Sequence, residues 1–84
     1  MMSGENLTRA QAQLMAWKTR YRLTYVETEL LRLTALDGVA RGALHVIRGT
    51  EEATVKKQVQ VLLTKTGDSS LIAAALRLVR EACF

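Results

Sequence analysis

The chain contains no proline. That removes the commonest helix breaker and favours long, uninterrupted helices. It has one cysteine, Cys83, so an internal disulfide is excluded and a reducing compartment is expected. No apolar run approaches the ~18 residues needed to cross a membrane. The opening residues Met1-Met2-Ser3-Gly4-Glu5-Asn6 lack the basic and apolar regions of a secretory signal, so a cytoplasmic location is expected. The chemistry of catalysis is equally thin. His45 is the only histidine and has no neighbouring cluster of ligands, so no metal is expected. Cys83 has no histidine or second cysteine near it in sequence to activate it. Gly67-Asp68-Ser69 is too short for a phosphate loop and lacks its lysine. Glu27 and Glu29 diverge on a helix and make no acid–base pair. A non-enzymatic protein without cofactor or small-molecule substrate is therefore expected.

What is present points to an all-α fold. The 84 residues are 49% hydrophobic and 24% charged, ordinary values for one globular domain. The net charge of +4 suits nucleic acid or an acidic partner without requiring either.

Residues 1–5 read as frayed. From Leu7, apolar positions recur at alternating three- and four-residue steps through Leu14, Trp17 and Tyr21 toward Leu31, the period of one helix face. A second series, Leu23, Val26, Leu30 and Leu33, continues through Asp37, Ala40 and Leu44 to Ile47 in heptad spacing, on the opposite face. Asp37-Gly38 is the interior break signal. The periodicity predicts a long amphipathic helix over residues 7–36, or over 7–48 with a kink at Asp37-Gly38. The preserved heptad phase favours the longer form. Gly49 suits a helix C-cap, with Thr50 as the next N-cap and Glu51 and Glu52 in its first turn. A two-helix hairpin is predicted over residues 51–66 and 70–83. The second of these is apolar almost all round, which predicts that it is the most buried helix.

A helix over 7–48 would be about 60 Å long, whereas a compact chain of this size has a radius of gyration of about 12 Å. The hairpin cannot cover both faces of such a helix, so exposed apolar surface is expected to meet a protein partner or a second copy. The partner-binding residues expected on this argument are Leu14, Trp17, Tyr21 and Tyr25 on one face, with Leu23, Val26, Leu30 and Leu33 on the other. The function that follows is a helical interaction module: an adaptor, chaperone-like factor, inhibitor or regulator, acting as a homodimer or in a complex.

A basic stretch gives the alternative. No acid occurs between Glu5 and Glu27, and Arg9, Lys18, Arg20 and Arg22 interleave with the aromatics. These residues would let the first helix contact nucleic-acid phosphates. The two C-terminal helices read poorly as a helix-turn-helix. The second would have to present polar side chains to base edges, and Ser70-Leu71-Ile72-Ala73-Ala74-Ala75-Leu76 is core material.

Overall fold

The computed structural model describes residues 3–84, and every described element is helical. There are five α-helices: α1 (Gly4–Arg20), α2 (Tyr25–Ala35), α3 (Leu44–Arg48), α4 (Glu52–Thr66) and α5 (Leu71–Cys83), with a 3-10 turn at Arg41–Ala43 leading into α3. Of the residues expected to fray, Met1 and Met2 lie outside the described ones. Ser3 caps α1 by accepting from the Asn6 amide, so Gly4 and Glu5 are already helical.

The long N-terminal helix does not form. The chain turns a corner at residues 21–24. Tyr21 ends α1, and Arg22 enters the left-handed region at φ 54°, the one non-glycine residue to do so among those described. The Leu23 amide reaches back to the Lys18 carbonyl at 3.0 Å and closes the helix end. Thr24 then starts a new helix with a capping box: its hydroxyl accepts from the Glu27 amide, and the Glu27 carboxylate accepts from the Thr24 amide. Such a box satisfies two amide donors that a continuing helix would have used in its own ladder. The apolar residues change face after Leu23 because the chain changes direction there. Among the described residues the longest helix is α1, at 17 residues.

Asp37-Gly38 is likewise a turn and not a kink. α2 has ended at Ala35, Gly38 takes φ 67°, and the Val39 amide bonds to the Leu33 carbonyl at 3.0 Å. The heptad register across it is a coincidence of spacing.

Both C-terminal helices form as expected, with Ser70 capping α5 through the Ala73 amide. The cap of α4 is Glu51, one residue later than Thr50, and it makes no side-chain cap bond. The two helices are less a hairpin than members of different layers. α5 packs chiefly on α1 and α2, while α4 packs on α2 and α3. α1 and α5 run antiparallel: the Cys83 Sγ faces the Asn6 carbonyl near one end, and Arg77 meets Tyr21 near the other. One core joins the layers, with Trp17, Leu30, Leu31, Leu44, Val55, Leu62 and Leu78 fully buried. Burying side chains of this kind contributes roughly 1.5–3 kcal/mol each. The molecule measures 34 × 25 × 20 Å with a radius of gyration of 12.0 Å. No helix overhangs.

Candidate nucleic-acid interface

The corner built from α3 and α4 has the parts of a helix-turn-helix. Five residues of α3 lead into a three-residue turn, Gly49-Thr50-Glu51, and α4 follows. Gly49 has φ 66°. Its amide bonds to the Val46 carbonyl and the Thr50 amide to the His45 carbonyl, a Schellman-type closure that needs a left-handed residue at its centre. Leu44 of α3 and Val55, Val59 and Leu62 of α4 are buried and fix the pair to the core. The opposite side of α4 faces solvent through Ala53, Thr54, Lys56, Lys57, Gln60, Val61 and Thr64. No acid occurs from Ala53 to Gly67. This pair lies one helix earlier in the chain than residues 51–66 and 70–83, and the outer side of α4 is polar where that of α5 is not.

Charge accumulates unevenly. Six of the eight acidic side chains lie in ion pairs: Glu5, Glu27, Glu29, Asp37, Asp68 and Glu81, leaving Glu51 and Glu52. Only Arg9, Arg32, Lys65 and Arg77 among the twelve basic side chains are so paired. Among the described residues, the cations without a carboxylate partner include Lys56 and Lys57 on α4, Arg41 ahead of α3, and Lys18, Arg20 and Arg22 at the α1–α2 corner. The fold's ion pairs thus take up most of its acids and fewer of its cations.

The residues expected to bind a partner are placed differently. Leu14, Trp17, Leu23, Leu30 and Leu33 are buried in the protein's own core, with Tyr21 and Val26 packed against it. Their apolar stripes are satisfied within the chain because two helices, not one, carry them. Tyr25 alone is exposed, at 66%, on the first turn of α2. Of the basic residues, Arg9 pairs with Glu5 at 2.7 Å near the N-terminal end of α1. Lys18, Arg20 and Arg22 lie within five residues of chain at its other end, where the Arg20 guanidinium lies 5.1 Å from the centre of the Tyr21 ring.

Two polar clusters anchor this frame. Arg77 stacks 4.2 Å from the centre of the Trp17 ring and donates to Asp68, Glu81, the Tyr21 hydroxyl and the Thr66 carbonyl. The Trp17 indole donates to Glu81 at 2.9 Å. Hydrogen bonds from Arg77 hold the Asp68 carboxyl below its ordinary value, and those from Trp17, then Arg77, do the same for Glu81. Glu27 is buried, which works against its charge. The Lys65 ammonium at 2.7 Å and the Thr24 cap outweigh that burial, and its pKa is also lowered. Sequence periodicity missed these roles because the partners lie tens of residues apart. The capping-box spacing Thr24-x-x-Glu27 and the acid-free run beginning at Ala53 were the signals available.

Among the described residues, no group of three or more His, Cys, Asp or Glu side chains could hold a metal ion, and no helix is long and apolar enough to cross a membrane. Comparison with family models, with characterised proteins and with solved structures gives no match for this chain.

Proposed function

We propose that the protein is a non-enzymatic nucleic-acid-binding module that docks α4 into the major groove of duplex DNA, with α3 as the supporting helix. The observation that carries this reading is the polar outer side of α4, free of acids from Ala53 onward and held on a glycine-closed turn from α3. Second helices of helix-turn-helix pairs present their early turns to base edges. Here those turns carry Ala53, Thr54, Lys56, Lys57 and Gln60. Lysine suits guanine acceptors, glutamine suits adenine, and alanine or the threonine methyl suits the thymine methyl. Glu51 and Glu52, at the tip, are the part of this surface that repels phosphate. Set against bases, a carboxylate accepts from the cytosine amino group.

The test is retention of a random-sequence duplex library by the purified protein at about 50 and 200 mM salt, the retained fraction then being sequenced. Retention that falls steeply with salt, with one enriched motif, supports the reading. The paired substitution Lys57→Ala, Gln60→Ala should abolish the enrichment. Absence of retention at low salt overturns it.

A second reading rests on a separate observation. Ile72 and Leu76 of α5 are 60% and 58% exposed. With Ala75, Val79, Thr34 and Ala35 they line an open groove of about 310 Å³ that contains no charged side chain. A second copy meets such a surface without like-charge repulsion despite the chain's net charge, and a two-fold contact is self-complementary. The surface is small beside the ~800 Å² per partner of a stable dimer. Self-association through α5 is therefore expected to be weak alone and stronger where DNA holds two copies side by side. Light scattering with and without duplex, for the wild type and Ile72→Glu, tests it. A strictly monomeric wild type in both states overturns it.

A further inference from the structure

Arg22 occupies a backbone position that ordinarily belongs to glycine. Its φ of 54° lies in the left-handed region, which the other described residues enter only as Gly38, Gly49 and Gly67. A residue with a Cβ is strained there, and glycine is not. Strain that a simple substitution would relieve is a pointer to use of the side chain. Among the described residues, no hydrogen bond or ion pair uses it. Arg22 is exposed and has no carboxylate partner, and the corner is secured through its backbone: Leu23 amide to Lys18 carbonyl, and Lys65 Nζ to the Arg22 carbonyl at 3.1 Å. The same Lys65 neutralises Glu27, the first acid after Glu5 in sequence. Lys18 and Arg20 add two more unpaired cations at the same end of α1. Because Lys65 belongs to the last turns of α4, the corner is fixed against the C-terminal end of that helix, roughly 20 Å from the tip at Glu52.

We infer that the α1–α2 corner is a phosphate clamp centred on Arg22, with Arg20 and Lys18 supplying further cations from the end of α1. It grips the sugar–phosphate backbone of the duplex whose groove receives α4. The inference rests on the DNA-binding reading. It adds a second, sequence-independent contact, made by cations carried on a different helix. Anchoring Lys65 to both Glu27 and the Arg22 carbonyl sets the spacing between clamp and groove-reading helix, so the corner fixes register on the duplex while α4 reads bases.

The experiment compares the wild type, Arg22→Gly, Arg20→Ala and the paired Lys57→Ala, Gln60→Ala protein, by fluorescence anisotropy on a labelled random-sequence 24-base-pair duplex and on the enriched motif, across a salt series. Arg22→Gly is the informative variant because it relieves backbone strain: its Tm should equal or exceed that of the wild type. Its slope of log K against log[salt] should fall by about 0.9, the value for one phosphate contact. That is about eightfold weaker binding at 0.1 M relative to 1 M salt, equal on both duplexes. Arg20→Ala should behave alike. The inference is overturned if Arg22→Gly and Arg20→Ala keep the wild-type slope, even where the α4 variant loses the motif. It is also overturned if the wild type shows no salt-dependent binding, and the DNA-binding reading then falls with it. If the α4 variant binds both duplexes as the wild type does while Arg22→Gly loses slope, the clamp stands and the assignment of base reading to α4 fails.

Discussion

Arg77 ties α5 both to α1 and to the α4–α5 turn through one guanidinium. Its guanidinium covers the Trp17 ring, reaches Tyr21, and closes the α4–α5 turn through Asp68 and the Thr66 carbonyl. Its side chain keeps 29% exposure, so solvent weakens each pair, and the value of the cluster lies in its geometry. Arg77→Ala leaves Asp68 and Glu81 without their cation and uncovers the indole. Urea denaturation should register a loss of about 2–3 kcal/mol, below the range for a fully buried pair. The same carboxylates set the acid response. Asp68, Glu81, Glu27 and Glu29 all have lowered pKa values in the folded protein. Their contribution is complete above the ordinary carboxylate values of 3.8 and 4.5 and is lost as pH falls through the lower, folded values. Thermal stability should be flat from about pH 5 to 8 and drop below about pH 4. In Arg77→Ala that drop should be shallower, since Asp68 and Glu81 are then less perturbed.

Helix ends divide this chain, and two of them can be tested against each other. Thr24→Ala removes the capping box that starts α2 and should cost about 1 kcal/mol. Gly49→Ala places a Cβ in open space but at φ 66°, so its cost of about 1–2 kcal/mol is purely conformational. Gly42, also in open space but without a positive φ, should behave oppositely. Gly42→Ala is expected to stabilise by about 0.4–1 kcal/mol through the unfolded chain. Denaturant midpoints for the three variants check the ordering. Trp17 and Leu14 do share one face, and Leu30 and Leu33 another. Periodicity, however, reports only that residues share a face and not that the helix between them is unbroken. The box at Thr24 and Glu27, a local hydrogen-bonding alternative to the ladder, decided the matter in four residues.

For the whole molecule, the corner at residues 21–24 converts an overhanging rod into a body 34 Å long. The apolar surface that a rod would have offered to a partner is folded inward. What remains outside is displaced to α5, where the helix is apolar on more sides than α1 and α2 can cover. Ile72→Glu and Leu76→Glu should therefore leave the denaturation midpoint nearly unchanged, within about 0.5 kcal/mol. A buried counterpart such as Leu78→Ala should cost about 2–5 kcal/mol. If the glutamates prove equally costly, α5 is not open on that side.

The sequence by itself determined the helical class, the two C-terminal helices to within a residue or two, and the stretches of unbalanced positive charge. Each of these is a local quantity: side-chain period, glycine and serine at helix ends, acids absent from a run. Tertiary structure alone decided which stripes face inward, which helix pair forms the turn, and which cations stay free. Those depend on chain direction after each corner and on partners such as Glu27 with Lys65, or Asp68 with Arg77, that meet only once the helices have packed.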